Sequence, residues 1–321
     1  MSENGSRQLH VVFGAGQIGP RLARILLAKG HAVRVVRRGN AAPPEGAELR
    51  SGDATDPAFA AEAARGASAI YHVMNPPEYS TAAWGELVPR YMTAMLLAAS
   101  RNKARLVTLD NLYMVGKAGG AVISESTPDA PVSGKGEIRA AAAAQLFDAH
   151  RRGDVRAISG RASDFYGPGG VGTHFGGMFW KRVLAGQSAQ VLVNPDQPHS
   201  YHYTEDVAAG LAALGTGPDE ATGQWWALPV APALTTRKMI EAFADALGRD
   251  VKVEQMPGWL LGLMANFIPI LKELREMGYQ WEQPFVVDDS AFRAQFAVQP
   301  TPVTAGAKAT LEWAKAAFGP R

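Results

Sequence analysis

Residues 9–19 read LHVVFGAGQIG, an apolar run followed by glycines in the pattern Gly-x-Gly-x-x-Gly, and apolar residues recur at helical spacing beyond them. This order predicts a buried strand over Leu9–Phe13, a turn and then a helix. Gly14 permits the tight turn, Gly16 lets the backbone approach a pyrophosphate, and Gly19 lets the helix pack closely on the strand. The helix N-terminus then presents free N–H groups and its positive dipole end to the phosphates. We therefore predict a dinucleotide site that includes Gly14, Gly16, Gln17, Ile18 and Gly19.

The next strand decides which dinucleotide is expected. It is predicted over residues 31–38 and ends in Arg37 and Arg38, where an enzyme that uses NAD usually carries an acid for the ribose hydroxyls. Guanidinium groups at this point suit a 2′-phosphate. We therefore predict NADP as the cofactor, with NAD less favoured. A solvated strand end without a ligand is the alternative reading of the two arginines.

Composition narrows the class of protein. The 321 residues are 47% hydrophobic and 19% charged, which allows a large core in one large or two modest domains. A net charge of only +2 gives no reason to expect a nucleic-acid partner. The chain has no cysteine, which excludes disulfides and thiolate metal ligands, and no metal-binding motif is found. A polar start and an apolar run at residues 259–271 that is broken by Asn266 and Pro269 predict a cytoplasmic protein with no membrane partner.

Strand and helix signals alternate through the first half of the chain. Such alternation predicts right-handed crossovers and an α/β, Rossmann-like, doubly wound parallel sheet with helices on both faces. Beyond Tyr166 glycine, proline and tryptophan become frequent, which indicates a change of architecture. We predict a dinucleotide-binding domain over residues 1–165, to which residues 200–230 return. A smaller, mostly helical substrate-binding portion is predicted over residues 166–199 and 231–321.

Several motifs beyond the glycine turn resemble those of the extended and atypical short-chain dehydrogenase/reductases, the NAD-dependent epimerase/dehydratase-like proteins. They read GD at 52–53, VTLDNLYMVG at 107–116, RASDFYGP at 161–168 and HSYHYTEDVA at 199–208. The resemblance covers nearly the whole chain. It implies that Asp53 contacts the adenine and that the strand 71–74, YHVM, ends beside the nicotinamide ribose. The resemblance thus adds Asp53, Ala54, Met74 and Asn75 to the cofactor-binding residues Arg37 and Arg38 predicted above.

The family's catalytic pair Tyr-x-x-x-Lys is missing. The corresponding helix begins near PVSGKGEIR at residues 131–139, which contains no tyrosine. Lys135 and Arg139 have the spacing of that pair, one helical turn, so they are candidates for its two places, with Arg139 holding the nicotinamide ribose. The alternative is that both merely solvate the start of a helix. Asn111 aligns with the family's catalytic Ser or Thr and can donate a hydrogen bond to a carbonyl.

Tyr113 is the predicted replacement for the missing phenol. It aligns with a substrate-facing position of sugar-nucleotide dehydratases, so the resemblance implies that its hydroxyl points at the substrate. A phenol of ordinary pKa is a good acid in a reduction and a poor base in an oxidation, unless a nearby cation such as Lys135 lowers that pKa. The alternative is a tyrosine packed under the loop with its hydroxyl bonded to backbone.

Two further replacements bear on the substrate. Asp164 and His199 stand where nucleotide-sugar members of the family carry an Asn and an Arg that help to hold a diphosphate, and an acid facing a diphosphate is repulsive. Apolar residues of the second half predict instead a mainly apolar small-molecule substrate, although most of them are also compatible with an ordinary core. These residues are Met178, Phe179, Trp180, Trp259, Leu260, Met264 and Phe267.

Three functions are compatible with these residues. The favoured one is an NADP-dependent oxidoreductase that reduces a carbonyl or a conjugated double bond, with Tyr113 or a water as proton donor. The second is an isomerase, epimerase or dehydratase that keeps its cofactor while Asp110 or Tyr113 moves protons. The third is a non-catalytic NADP-binding sensor, consistent with the loss of Tyr-x-x-x-Lys. The chain is also compatible with a homodimer.

Overall fold

The protein is represented by a computed structural model that describes residues 7–265 and 267–319, apart from the side chains of Leu260 and Leu261. The strands that form the main sheet are β1 (Leu9–Phe13), β2 (Ala32–Arg37), β3 (Glu48–Ser51), β4 (Ala67–His72), β5 (Arg105–Asp110), β6 (Arg156–Arg161) and β11 (Trp225–Ala227). Short strands pair outside it, namely β7 (Asp164–Tyr166), β8 (Ala189–Val191), β9 (Pro198–His199), β10 (Tyr201–Tyr203), β12 (Leu234–Thr235) and β13 (Val253–Gln255).

The helices of the described residues alternate with these strands in the first half and predominate in the second. They are α1 (Gly19–Ala28), α2 (Pro57–Ala63), α3 (Thr81–Asn102), α4 (Gly134–Arg151), α5 (Gly177–Leu184), α6 (Thr204–Thr216), α7 (Thr236–Leu247), α8 (Gly258–Met264), α9 (Pro269–Glu276), α10 (Ser290–Phe296) and α11 (Val303–Phe318).

The main sheet has seven parallel strands in the order β11-β6-β5-β4-β1-β2-β3. The chain moves outward from β1 in one direction to β3, then returns to β4 on the other side of β1 and moves outward again. This reversal creates a crevice at the carboxyl ends of β1 and β4, which is where open α/β sheets bind ligands. The predicted α/β, Rossmann-like parallel sheet is confirmed.

Each face of the sheet is covered by its own helices. On one face α2, α3 and α4 contribute Ala60, Met95 and Leu146 to a core of fully or nearly fully buried side chains. On the other face α1 and α6 contribute Leu22 and Leu211. The strands between them are apolar on both sides, as a parallel sheet with two covered faces requires.

The second half of the chain packs beside the carboxyl edge of this sheet. Strand β11 joins the main sheet next to β6, whereas β8 pairs with β13, and β9 pairs with β12. Helices α5, α7 and α11 enclose a separate aromatic core that contains Phe175, Trp180 and Phe243. Among the described residues no helix is both long and apolar enough to cross a membrane.

Candidate active site

The glycine turn connects β1 to α1 and lies at the crevice of the sheet. Gly14 has a φ of +117°, and its backbone lies against Val73 and Met74 at the end of β4. A Cβ on Gly19 would overlap the carbonyl oxygen of Gly14, so only glycine lets α1 begin this close to the turn. A Cβ on Gly16, in contrast, would meet nothing within 4 Å. The turn is therefore closed on the protein side and open at Gly16.

The open side of the turn fits a phosphate. Ile18, the N-cap of α1, makes no side-chain hydrogen bond to the first turn, so free N–H groups remain at the N-terminus of that helix. The buried Nε2 of Gln17 has no hydrogen-bond partner among the described residues. These donors, together with the helix dipole, are the groups that a pyrophosphate requires.

The two arginines lie at the carboxyl end of β2. Arg37 is half-buried and Arg38 is exposed, and within the described part of the chain neither forms an ion pair with a carboxylate. Asp53, after β3, accepts hydrogen bonds of 2.9 Å from both the N–H and the hydroxyl of Thr55, which lower its pKa. Ala54 beside it is buried. The edge predicted to hold the adenosine thus offers two guanidinium groups and one ionised carboxylate.

Met74 and Asn75 follow β4, where the nicotinamide ribose is expected. The amide oxygen of Asn75 accepts a hydrogen bond from Arg139, whose guanidinium also lies 3.4 Å from the Asp110 carboxylate and 4.7 Å from the centre of the Trp84 ring. Burial raises the pKa of Asp110, and the charge of Arg139 opposes that rise. Arg139 therefore lies beside the expected ribose position, but it is buried and already has protein partners.

Tyr113 follows Asn111, at the end of β5. The Asn111 side-chain oxygen accepts a hydrogen bond of 3.0 Å from the Tyr113 N–H, and the Tyr113 ring stacks on Trp84. The hydroxyls of Tyr113 and Tyr79 lie 3.0 Å apart. Tyr113 is thus packed against Trp84 of α3, and its hydroxyl partner is a second phenol, whereas the alternative interpretation expected packing under the loop and a bond to backbone.

Lys135 does not act on Tyr113 as expected. Its fully buried ammonium forms ion pairs with Glu273 and Glu276 of α9, and it contacts the face of the Tyr79 ring, 4.8 Å from the centroid. The pKa of Tyr113 is raised instead of lowered, because burial and the carboxylate of Asp164 both oppose ionisation. The expectation that Lys135 lowers that pKa is therefore wrong, since two carboxylates already neutralise its charge.

Asp164 and His199 are partners of each other. The Asp164 carboxylate lies 2.8 Å from His199 Nε2, and the Ser163 hydroxyl lies 3.1 Å from the same nitrogen. The His199 ring is fully buried and stacks between Trp281 and Phe285. The two residues that the resemblance aligns with phosphate-binding positions thus form one hydrogen-bonded pair of a carboxylate and an imidazole. No cluster of three or more candidate metal ligands occurs in the described residues.

The apolar residues predicted to line a substrate site are scattered. Phe179 and Trp180 belong to the aromatic core of the second half, whereas Met178, Trp259 and Phe267 are exposed. Met264 is half-buried, and the side chain of Leu260 lies outside the described residues. The described side chains of this set do not form one pocket wall, because some belong to the core and others face solvent.

Sequence reasoning missed the partners of the site. Tyr79, Trp84, Glu273, Glu276 and Trp281 all contact predicted site residues. The spacing of the two glutamates, three residues apart on one helix face, was the only signal available. Nothing in that spacing indicates which distant cation the carboxylates contact.

The chain matches known proteins in sequence pattern and in fold. The model of the NAD dependent epimerase/dehydratase family matches residues 10–226. The structure is similar to the UDP-glucuronic acid 4-epimerase of Bacillus cereus in complex with NAD, with a TM-score of 0.79, 16% identity and coverage of 98% of this chain and 99% of that chain. No curated protein is similar to this chain in sequence.

Two other solved structures show the same fold. The UDP-glucose 4-epimerase of Thermotoga maritima has a TM-score of 0.78, 14% identity and coverage of 97% of this chain and 100% of that chain. The dTDP-glucose 4,6-dehydratase of Streptomyces venezuelae with NAD bound has a TM-score of 0.76, 18% identity and coverage of 97% of this chain and 98% of that chain. At such identities the likeness concerns fold alone, whereas the family model spans most of the chain. The chain belongs to the NAD-dependent epimerase/dehydratase family, within the extended short-chain dehydrogenase/reductases.

Proposed function

We propose that this protein is an NADP-dependent reductase of a carbonyl or conjugated double bond in a mainly apolar small molecule. The observation that carries the proposal is the pair of phenols Tyr79 and Tyr113, whose hydroxyl oxygens lie 3.0 Å apart near the expected nicotinamide position, while the nearby Lys135 ammonium is paired with two carboxylates. Such a pair holds its protons.

The protonation state of the two phenols favours one direction of reaction. Burial raises the pKa of Tyr79 and of Tyr113 above the usual range, and the bond between the two hydroxyls keeps one proton between them. The oxidation of an alcohol releases a proton and requires a base, whereas a reduction consumes a proton and requires an acid. Because both phenols stay protonated, the pair can supply the proton of a reduction, even though a raised pKa makes each hydroxyl a weaker acid than an ordinary phenol. It is poorly suited to the oxidation with which a cofactor-retaining epimerase would begin.

The residues that would hold the cofactor lie along the crevice. Gly14, Gly16 and the N-terminus of α1 would take the pyrophosphate, Arg37 and Arg38 the 2′-phosphate, and Met74 with Asn75 the nicotinamide ribose. A nicotinamide dinucleotide bound there supplies a hydride to the substrate. Tyr113 would donate the proton, and Tyr79 would orient its hydroxyl.

Tyr113→Phe tests the proton donor. We expect the variant to keep its fold and its affinity for NADPH but to reduce ketones or enones about 10² times more slowly, the usual contribution of a positioned acid. Loss of NADPH absorbance with a panel of aryl ketones and enones measures the rate. Tyr166→Phe is the matched control and should keep full activity, because it removes a buried hydroxyl that has no hydrogen-bond partner among the described residues and lies in the aromatic core of the second half.

Two results would contradict the proposal. An unchanged rate in Tyr113→Phe would transfer the acid role to another group. Product formation from a substrate without net NADPH consumption would favour the isomerase, and NADPH binding without turnover of any compound would favour the sensor.

The binding of nucleotide sugars tests whether this protein differs in substrate from the solved structures that it resembles. We expect UDP-glucose and dTDP-glucose to bind weakly or not at all, because the Asp164 carboxylate replaces an amide and repels a diphosphate. Isothermal titration calorimetry of the wild type measures this. Saturable micromolar binding that free UDP or dTDP competes away would contradict the apolar-substrate proposal.

A further inference from the structure

The exposed apolar side chains of this protein are concentrated in one short segment. Among the described residues ten large apolar side chains are exposed, and six of them lie between residues 259 and 274. Single exposed apolar residues are ordinary at a protein surface, whereas a group of them marks an interaction site. We call this group the apolar patch. It consists of Trp259, Leu263, Phe267, Ile268, Ile270 and Leu274.

The apolar patch follows the outer sides of α8 and α9. Trp259 and Leu263 are four residues apart on α8, as are Ile270 and Leu274 on α9, so each pair lies on one side of its helix. Phe267 lies in the turn between the two helices. The two aromatic side chains are the most exposed of the patch, at 74% for Trp259 and 79% for Phe267.

The two helices pack side by side. A Cβ on Gly262 of α8 would lie 3.8 Å from a guanidinium nitrogen of Arg275 of α9. The Phe267 N–H donates a hydrogen bond of 3.0 Å to the carbonyl oxygen of Met264, which closes the turn between the helices. The patch is therefore carried by one compact helical hairpin.

The acids of this hairpin face the protein. Residues 255–281 contain only two acids, Glu273 and Glu276. Both pair with the fully buried Lys135, and Glu276 also accepts a hydrogen bond of 2.6 Å from the Gly134 N–H. Their negative charges are thus neutralised on the inner side of α9.

The cations of the same hairpin face solvent. Lys272 and Arg275 are exposed, and neither forms an ion pair with a carboxylate in the part of the chain that the structure describes. Glu254, the last acid before α8, is itself paired with Lys252 at 2.9 Å. The outer side of the hairpin therefore combines apolar groups with unpaired positive charge.

This combination favours one kind of partner. A twofold interface between two copies would contain the same surface from both of them. It would bring Lys272 and Arg275 of both copies together, with no acid of the hairpin left to pair with them. An anionic membrane surface instead accepts apolar side chains among its acyl chains and cations at its phosphates. Tryptophan is also a preferred residue at the boundary between lipid and water.

A surface contact does not require a crossing segment. The apolar run at residues 259–271 is too short to cross a bilayer, but a helix that lies in the plane of the interface needs no such length. The sequence-based expectation of no membrane partner considers only a crossing segment and a leader. It therefore does not bear on α8 and α9.

The inner side of α9 adjoins the proposed reacting centre. Lys135, which pairs with the two acids of α9, lies 4.8 Å from the centre of the Tyr79 ring. The Tyr79 hydroxyl lies 3.0 Å from that of Tyr113. A membrane in contact with the patch would thus lie on the other side of α9 from the phenol pair.

We propose that the apolar patch docks this protein on the surface of a membrane that contains anionic lipid, with Trp259 and Phe267 among the acyl chains and Lys272 and Arg275 at the headgroups. Docking would place the site beside a lipid phase in which a mainly apolar substrate concentrates. Only this last step rests on the proposed function, because vesicle binding is measured without substrate or cofactor.

Cosedimentation of the full chain with vesicles tests the proposal. We expect the wild type to bind vesicles of phosphatidylcholine with about 30% phosphatidylglycerol. Trp259→Ser/Phe267→Ser should bind at least tenfold more weakly, because two aromatic side chains no longer enter the lipid. Val122→Ser/Val171→Ser removes two exposed apolar side chains outside the patch and is the matched control, which should bind like the wild type.

A second pair of variants tests the positive charge. Lys272→Gln/Arg275→Gln should weaken binding to the anionic vesicles about tenfold and leave the weaker binding to pure phosphatidylcholine vesicles unchanged. Lys181→Gln/Lys308→Gln removes the same net charge from exposed positions of α5 and α11 and should have a smaller effect. Urea titration checks that each variant keeps the stability of the wild type.

Two results would overturn the proposal. One is a wild type that binds neither kind of vesicle, and the other is binding that Trp259→Ser/Phe267→Ser leaves unchanged. A dimer in analytical ultracentrifugation that this variant dissociates, without vesicle binding by the wild type, would assign the patch to a second copy of the chain.

These outcomes are independent of the reductase assay. Vesicle binding through the patch with no reductase activity would uphold the docking surface and refute the reaction. Reductase activity without vesicle binding would do the reverse.

Discussion

The two ends of the crevice differ in how their polar groups are used. At the cofactor end Gly16 faces open space, and Arg37 and Arg38 have no carboxylate partner in the described residues. At the catalytic end Lys135 and Arg139 are both buried and paired with acids. One end is prepared for a ligand, and the other already satisfies its own charges.

The difference explains which features of the family the chain keeps. A phosphate turn works through backbone N–H groups and small residues, so it cannot be altered without loss of the ligand. A catalytic phenol can be moved, because what matters is a proton donor at the right place. In the proposed mechanism the phenol is Tyr113, next to β5, and Lys135, the residue that the resemblance aligns with the family's tyrosine, lies in an ion-pair network.

Gly19→Ala should have the largest effect on stability and on cofactor binding, because it adds a Cβ on the closed side of the turn. A Cβ there overlaps the backbone oxygen of Gly14, so we expect the free energy of unfolding to fall by about 2–4 kcal/mol and dinucleotide binding to be lost. Gly16→Ala should leave unfolding nearly unchanged but weaken NADPH binding about tenfold or more, since its Cβ would occupy the phosphate approach. Urea titration and calorimetry measure the two effects.

Two results would contradict this distinction between an open and a closed side of the glycine turn. Should Gly16→Ala bind NADPH as well as the wild type does, the open side of the turn would not be the phosphate site. Should Gly19→Ala be as stable as the wild type, the close approach of α1 would not depend on glycine.

The double variant Arg37→Ala/Arg38→Ala removes both guanidinium groups from the cofactor end of the crevice. A hydrogen bond to a charged group contributes about 1.5–3 kcal/mol, so we expect NADPH affinity to fall roughly tenfold to a hundredfold while NADH affinity changes little. Arg50→Ala, an exposed arginine on the neighbouring strand that pairs with Glu48, is the control. Equal wild-type affinities for NADH and NADPH in calorimetry would refute the predicted preference.

The sequence predicts the cofactor end well because its determinants are local. The strand predicted at Leu9–Phe13 is observed with those bounds, and the strand predicted at 31–38 is β2, Ala32–Arg37. Periodicity gave no sign of β3, since its four residues, Glu48–Ser51, form a polar edge strand with little burial. Strand β11 has only three residues, too few for any pattern.

The catalytic end could not be predicted in the same way, because its contacts are between distant segments. Lys135 and Glu276 are 141 positions apart, and Asp164 and His199 are 35 apart. The sequence identifies each of these four residues as polar, but whether two polar residues meet depends on the tertiary arrangement. The prediction that Lys135 lowers the pKa of Tyr113 is wrong for this reason, because the sequence does not show that the Lys135 charge is paired with carboxylates of α9.

The smallest predicted effect concerns a buried imidazole behind the catalytic end. His202 Nδ1 accepts a hydrogen bond of 3.1 Å from the Ser163 N–H, and its Nε2 lies 3.2 Å from the Leu228 carbonyl oxygen, so the neutral ring carries its proton on Nε2. Burial lowers the pKa of His202 to about 3, well below the ordinary value of 6.5. Protonation of Nδ1 would also break the bond to Ser163.

A group whose pKa is lower in the folded state stabilises the fold fully above its unfolded pKa, and this contribution is lost as the pH falls toward the folded value. Between pH 6.5 and 5.5 His202 should therefore reduce the free energy of unfolding by about 1 kcal/mol. His202→Asn, which keeps an acceptor for the Ser163 N–H, should be less stable at pH 7 but should lose less stability over that interval. Urea titrations of both proteins at the two pH values measure the slopes. Equal slopes would mean that His202 takes up no proton on unfolding and that the acid sensitivity of the catalytic end has another source.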